Sequence, residues 1–331
     1  MTKIGLLFNE PLPQGVPNWE SSVDVMVQVD AIERALVELG HIPVRIPFTR
    51  DLGTALARIN VAHPQLVLNL CETVDEDPLL AGHPAAVLEL LGLPFSGSSA
   101  LALLISTDKV TVKYLLRGAG LPTPPFFLYE GGEIIIPPGL CFPVILKPRF
   151  QEASIGIAQE SVITQKAKLD TALHHFYDQY GSILVEEYVE GREFNIALFG
   201  YPKALVMPLA EIDFSEFPPD LHRIVSYKAK WDEDSFEYQN TTRCFPDNLP
   251  HPLQSAMCRV AEDGFALFGL RDYGRIDLRL DALGRINILE VNANPCLSPD
   301  AGFTAAVAES KMTYTEMVGE FIRFVAMRAA L

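Results

Sequence analysis

The chain has 331 residues, 49% of them hydrophobic and 21% charged, which suits a soluble globular protein of two or three lobes rather than a single core. A net charge of −16 argues against nucleic acid as a partner, since a phosphate backbone needs a basic footprint, but leaves room for a nucleotide held by a few lysines. The five cysteines (Cys71, Cys141, Cys244, Cys258, Cys296) are scattered without CxxC spacing, which favours a reducing compartment over a zinc site or a disulfide framework.

The first apolar run stops at Asn9-Glu10-Pro11, too short for a signal peptide, and no run approaches the roughly 18–20 apolar residues of a membrane span. A cytoplasmic location is expected. Lys3–Asn9 reads as a first strand. Val25, Val29, Ile32, Leu36 and Leu39 follow helical spacing, with Ser21 or Ser22 as N-cap and Gly40 as the stop. Ile42–Ile46 and Gln65–Leu70 read as further strands, and Ala85–Leu91 as a helix ended by Gly92. This β-α-β alternation predicts an α/β lobe with a small parallel sheet over residues 1–105. A helix over Thr107–Arg117 is capped by Thr107 or Asp108 and closed by Gly118-Ala119-Gly120.

From 126 to 199 the strands come in antiparallel-looking pairs: Phe142–Lys147, then Ile157–Glu160 after a loop at Pro148–Gly156, and Ile183–Tyr188 with Glu193–Gly200 flanking Glu190-Gly191-Arg192. Phe214–Asn248 is rich in Pro, acidic and aromatic residues with little periodicity, the pattern of a long functional loop. Residues 253–268 and Tyr314–Arg328 read as helices.

The most informative stretch is Tyr273–Asn292, which reads as a β-hairpin turning at Asp281-Ala282-Leu283-Gly284. A register pairing Leu280 with Arg285 places Arg275, Asp277, Glu290 and Asn292 on one face, with Asp277 opposite Ile288 and diagonal to Glu290. Diagonal neighbours lie roughly 7–8 Å apart, so both carboxylates can reach a cation between them. Carboxylate and amide oxygens suit magnesium. The bland alternative is a solvated polar face, but Glu290 is bracketed by Ile288, Leu289 and Val291. Elsewhere, Lys147 ends a strand beside a loop of small residues whose N–H groups suit phosphate, and Glu186-Glu187-Tyr188-Val189 followed by Glu193 offers a strand end for adenine and a carboxylate for ribose.

In chain order these pieces run Thr107-Asp108-Lys109, ILKP through Lys147, SIG at 154–156, VEEYVEGREF at 185–194, Tyr227-Lys228-Ala229-Lys230, GRID at 274–277 and LEVNANP at 289–295. Together they resemble the ATP-grasp superfamily, and within it the D-alanine–D-alanine ligases, over essentially the whole chain. The N-terminal run at Asp75-Glu76-Asp77 and 88–103 is similar as well. The resemblance implies an α/β (α+β) ATP-grasp fold: a Rossmann-like lobe at 1–105, a central lobe at 106–187, and a C-terminal lobe at 188–331 whose lid spans about 214–248.

It further implies ATP and two magnesium ions (manganese being acceptable) as cofactors. Lys109, Lys147 and Ser154 would serve the phosphates, Glu186, Glu187 and Val189 the adenine, and Glu193 the ribose. Lys230 would reach the γ-phosphate, Asp277, Glu290 and Asn292 would hold the metal, and Arg275 with the backbone N–H of Cys296 would stabilise an oxyanion. Glu20 or Asp24, Ala153, Trp231 and Ser298 fall on the substrate side. The implied reaction joins a carboxylate to an amine through an acyl phosphate, with small amino acids or peptides as partners and neither nucleic acid nor membrane; a homodimer is compatible with it.

Four departures from the family pattern stand out. Ala153 and Trp231 replace a serine and a tyrosine that share a hydrogen-bonded set beside the first substrate, Glu152 replaces a loop glycine, and Cys296 replaces a glycine. Natural-product or dipeptide ligation without D-alanine therefore stays open. So do a nucleotide-binding regulatory protein of the same fold and a bicarbonate-activating carboxylase.

Overall fold

The computed structural model describes residues 1–12, 14–15 and 19–329, without the side chains of residues 19–22 and 24. The chain opens with β1 (Lys3–Asn9), α1 (Trp19–Glu38), β2 (Ile42–Phe48), α2 (Leu52–Ala62), β3 (Leu66–Asn69), α3 (His83–Leu90) and α4 (Ala100–Thr107). Here β1 pairs in parallel with β2 on one side and β3 on the other. Ile4, Leu6 and Leu7 in β1 are fully buried, the apolar run expected of a strand covered on both faces. Val25, Val29, Ile32 and Leu36 point into the core as their spacing predicts. Leu39, past the end of α1, is 38% exposed. The helix begins at Trp19, so Ser21 and Ser22 lie inside it rather than capping it. Neither α2 nor α4 is in the sequence reading, and residue 105 falls within α4, shortly before the Asp108 cap that starts the next helix.

Next come α5 (Lys109–Gly118), β4 (Phe126–Tyr129), β5 (Val144–Pro148), β6 (Val162–Ile163), α6 (Lys166–Tyr180) and β7 (Ile183–Glu187), with an antiparallel sheet in the order β4-β7-β5-β6. Leu169 and Leu173 of α6 cover its face, against Val144, Leu146 and Val185. Two expectations are corrected here. Ile157–Glu160 is not a strand. The Ser161 hydroxyl accepts from the Ala158 N–H (2.8 Å) and donates to the Gly156 carbonyl (3.2 Å), folding 159–161 into a 3-10 turn, and the strand is Val162–Ile163. The segments around Glu190-Gly191-Arg192 are not a hairpin either: the chain crosses at 188–190 into a different sheet.

That second sheet contains β8 (Gly191–Gly200), β9 (Leu205–Val206), β10 (Ala210–Asp213), β11 (Thr242–Cys244), β12 (Asp272–Asp281) and β13 (Ile286–Asn292), ordered β11-β10-β8-β12-β13 with β9 also on β8. The long loop expected over 214–248 carries two short helices, α7 (Tyr227–Trp231) and α8 (Phe236–Gln239), as well as β11. Strand alternation sorts the sheet's residues. Phe194, Ile196, Ile276, Leu278 and Leu280 pack against α9 (His251–Leu267), while Glu193, Asn195, Arg275, Asp277 and Arg279 turn toward an open cleft. No helix among the described residues is long and apolar enough to cross a membrane.

Further along the same sheet face, Phe199 and Tyr273 join Phe303 of α10 (Gly302–Glu309), Phe321 of α11 (Tyr314–Ala329) and the first lobe's Ile4 and Leu6 in one core. Polar bonds complete this junction. Asp272, wholly buried and at φ +65°, pairs with Arg328 and accepts from the Gly97 N–H (2.9 Å), while the Tyr273 hydroxyl donates to Asn294, whose amide donates to the Cys71 carbonyl (2.8 and 2.9 Å). A conformation that costs an aspartate energy is thereby held by contacts from α11 and from the loop at Gly97. Arg328→Met should leave the Asp272 carboxylate buried without its cation and lower stability by about 3 kcal/mol, read from denaturant unfolding. A loss under about 1 kcal/mol would show that the junction is apolar in origin.

Candidate functional site

The cleft between the lobes has a volume of about 710 Å³. Its floor is the charged face of β8, β12 and β13. In the observed register Leu280 pairs with Ile286 rather than Arg285, and after a bulge at Leu289 Asp277 stands directly opposite Glu290 and Arg275 opposite Asn292. The sequence-based register is corrected in two places. The Asp281 carboxylate accepts from the N–H groups of Leu283 and Arg285 (2.9 Å each), drawing Arg285 into the turn. At Ile288 the backbone bonds across lobes: its N–H donates to the Pro122 carbonyl (2.8 Å), and its carbonyl accepts from Thr123 Oγ1 and Lys113 Nζ (3.0 Å each). The bulge brings the two carboxylates closer than the predicted diagonal.

The electrostatics of this face are dense. Arg275 donates two parallel hydrogen bonds to Asp277 (2.7 and 2.8 Å). Burial raises the Asp277 pKa despite that pairing, and Glu290 adds to the rise. Burial also works against the Glu290 carboxylate, but Lys109, Arg275, Lys230 and Lys147 outweigh it and hold its pKa below the usual value. Glu152, over the same spot, is pushed by burial up to about 7, with Lys109 opposing and Glu290 reinforcing the shift. Lys230 is reachable from the cleft yet enclosed by protein, which lowers its pKa, as does Arg275. Lysines and arginines thus surround one half-buried carboxylate, an arrangement that favours a polyanion.

The central lobe forms the opposite wall. Glu186, 1% exposed, lies between Lys113 (2.7 Å) and Lys147, whose ammonium contacts its other oxygen. These two cations keep Glu186 ionised against the effect of burial. Burial in turn pushes Lys113 down to about 8, Glu186 opposing and Lys147 reinforcing. Lys109 follows the Asp108 cap, which accepts from the Val110 and Thr111 N–H groups and from Arg149; its ammonium contacts the Gln151 carbonyl. Ala153 and Ser154 are both left-handed (φ +54° and +62°), and the Ser154 hydroxyl donates to the Val225 carbonyl (2.8 Å).

The segment expected to be a lid lies across this loop. Gln159 donates to the His222 carbonyl (3.1 Å) and accepts from its N–H (2.8 Å), Tyr227 N–H donates to the Ile157 carbonyl (2.8 Å), and the Trp231 indole donates to the Ala153 carbonyl (3.1 Å). Lys230 is thereby carried over the floor.

The cleft gathers Lys109, Lys147, Ala153, Ser154, Glu186, Glu187, Val189, Glu193, Lys230, Trp231, Arg275, Asp277, Glu290, Asn292, Cys296 and Ser298. The side chains of Glu20 and Asp24 lie outside the described residues. Two occupants also contact neighbours in the chain: Cys296 Sγ donates to Ser298 Oγ (3.2 Å), and Asn292 Oδ1 accepts from the Asn294 N–H (3.0 Å). Three cations escaped the sequence reading. Arg279 shares the period-two face of Arg275 and Asp277, and alternation alone could have found it. Lys113, between Val112 and Leu116, reads as an ordinary helix lysine. Arg243, lowered by burial and by Arg275, sits in a stretch without periodicity.

Among the described residues no three His, Cys, Asp or Glu side chains converge as a closed metal site requires. Two facing carboxylates and an amide oxygen instead fit a hard cation that takes its remaining ligands from phosphate and water.

Residues 115–323 match the family profile described as "D-ala D-ala ligase C-terminus". A protein named "Uncharacterized protein y4sG" from Sinorhizobium fredii is 29% identical over 94% of this chain and 90% of its own length. A D-alanine--D-alanine ligase from Alcanivorax borkumensis is 32% identical, covering 75% of this chain and 72% of that one. The structure of D-alanine--D-alanine ligase from Bacillus anthracis complexed with ATP shares the fold, with a TM-score of 0.77 over 100% of this chain and 99% of that chain at 17% identity. The cleft, its three lobes and these likenesses agree, and the chain belongs to the D-alanine–D-alanine ligase family of the ATP-grasp fold.

Proposed function

We propose that the protein is an ATP-dependent ligase that joins a carboxylate to an amine through an acyl phosphate, and that D-alanine is a poor first substrate for it. The observation that carries the reaction class is the facing pair Asp277 and Glu290 beneath Lys109, Lys147 and Lys230. In this reading the adenine lies along Glu186, Glu187 and Val189, with the ribose at Glu193. Lys109, Lys147 and the N–H groups of the loop through Ser154 take the phosphates. Asp277, Glu290 and Asn292 would hold magnesium, two ions in all, and bound metal would neutralise phosphate charge as the phosphoryl group moves in line.

The chain's own groups supply the rest. Lys230, held over the floor by the folded lid, faces the γ-phosphate. Arg275 uses Nε and one Nη on Asp277, so its guanidinium plane is fixed and its other Nη remains for the oxyanion of the tetrahedral step. The Cys296 N–H is the second oxyanion donor proposed. The lid excludes water, which an acyl phosphate requires. The proposal is tested by ADP release across a panel of paired amino acids and dipeptides; no release with any pair would overturn it.

Replacing Glu290 by glutamine keeps its size at a half-buried position but removes the carboxylate opposite Asp277. ADP release should fall on the order of a thousandfold or more, with the circular dichroism spectrum unchanged. Excess chelator should do the same to the wild type. Near-normal turnover in either case would remove the metal assignment.

Gln159 makes two of the bonds that hold the lid to the phosphate loop. Gln159→Ala should therefore increase proteolytic nicking within 214–248, and ATP with magnesium should restore protection. Cleavage indifferent to both changes would show that the lid does not gate the cleft.

On the substrate side, the indole proton of Trp231 goes to the Ala153 carbonyl. The bond steadies the loop but offers the substrate no hydroxyl. An unreplaced polar partner weakens binding roughly tenfold to a hundredfold. D-alanine should accordingly have a lower specificity constant than larger amino acids or dipeptides in the first position. Efficient D-alanyl-D-alanine formation at low D-alanine would contradict this.

A further inference from the structure

We infer that Arg279 is a positioning residue that holds the ribose-facing carboxylate of Glu193 and the lid in one geometry, so that recognition of the nucleotide's ribose and closure of the lid depend on the same guanidinium. The inference rests on the nucleotide placement proposed above and deepens it. Arg279 is 2% exposed, in the middle of β12. Its Nε and Nη2 both donate to Glu193 Oε2 (3.1 and 2.7 Å), its Nη1 donates to the Val189 carbonyl (2.8 Å), and Nη2 also reaches the Arg223 carbonyl. The guanidinium plane lies over the rings of Tyr188 (5.3 Å) and Phe214 (5.9 Å). Tyr188 extends the link, its hydroxyl accepting from the Arg223 N–H (3.1 Å).

Those contacts join four pieces of chain: the ribose strand β8, the crossover at 188–190, and the lid at both Phe214 and Arg223. Only Oε2 of Glu193 is engaged among the described residues, which leaves Oε1 for a ribose hydroxyl and fixes the carboxylate that presents it. A planar fork can serve the carboxylate and two carbonyls at once; a lysine ammonium, a single point of charge, cannot keep that arrangement. The ion pair gives a carboxylate 8% exposed a buried cationic partner beside an aromatic wall.

Calorimetric binding of Mg·ATP and Mg·2′-deoxyATP, with trypsin cleavage after Arg223 as a second readout, tests the assignment without requiring turnover. The wild type should prefer ATP by roughly tenfold, the loss of one hydroxyl bonded to a carboxylate. Arg279→Met should bring the two nucleotides within about twofold of each other, weaken ATP roughly tenfold and leave the Arg223 bond cleavable at saturating ATP. Glu193→Gln should erase the ribose preference while the lid remains protected, which separates the two roles. Should Arg279→Met fail to fold, Arg279→Lys carries the test, since it keeps the charge but is expected to lose the ribose preference and the protection together. A folded variant at 279 that retains the ribose preference overturns the inference and reduces Arg279 to packing. Wild-type protein that binds ATP without ribose preference overturns this inference alone, and wild-type protein that binds no ATP overturns the nucleotide placement with it.

Discussion

The site depends on how one residue uses its backbone. Ile288 lies in the middle of β13, the edge strand of its sheet, where an N–H and a carbonyl facing away from β12 would ordinarily meet water. Its N–H goes to the Pro122 carbonyl instead, and its carbonyl accepts from Lys113 and Thr123. The extra residue of the bulge, Leu289, follows directly on these bonded groups. The consequence is geometric: Glu290 moves from a diagonal position to stand across from Asp277. The same interaction joins the central and C-terminal lobes, because the Lys113 ammonium that holds Ile288 also meets Glu186 on the central-lobe wall of the cleft.

Charge is the second constraint. Buried ions persist when their fields cancel locally, and here the cancellation is uneven. Glu186 has two lysines, Glu193 one arginine, and Asp277 one arginine with two hydrogen bonds. Around Glu290 the balance tips, with four cations acting on one carboxylate. Such an excess at the floor of a cleft is local in a chain of net charge −16, and it favours a polyanion there. Burial pushes Glu152, a third carboxylate in the cleft, up to about 7, with Lys109 opposing the shift and Glu290 reinforcing it.

What the sequence made legible was whatever depends on period. Alternation from Arg275 to Leu280 placed the acidic face on β12, and helical spacing found the buried stripe of α1. Register was not legible, because it turns on a side-chain bond inside the turn, from the Arg285 N–H to Asp281, and on a bulge at Leu289 that alternation does not mark. Strand pairing across Glu190-Gly191-Arg192 misled for a related reason. Two strands separated by a short polar link look like a hairpin, yet β7 and β8 belong to different sheets and the link is a crossover that lines the cleft. Lys113 carries no local mark, since its burial is created by Glu186 and the Ile288 carbonyl, both distant in sequence. Arg279 was within reach of the alternation rule and shows that a strand's whole face should be read once two of its members are suspected.

The departures from the family pattern are coordinated through backbone rather than side-chain chemistry. A serine and tyrosine pair would join two hydroxyls, whereas Ala153 and Trp231 join a carbonyl to an indole. This bond constrains the loop where Ala153 and Ser154 take up left-handed conformations, which an alanine adopts at a cost of roughly 1–2 kcal/mol. The strain is held by the lid, through Trp231 to Ala153 and through the Val225 carbonyl to Ser154, so the phosphate loop's shape and the lid's position are mutually dependent. A loop fixed in this way needs no hydroxyl from the substrate side to complete it. Side-chain polarity at 153 and 231 is then free to change without loss of the loop's geometry, because the bond that holds it runs from an indole to a backbone carbonyl.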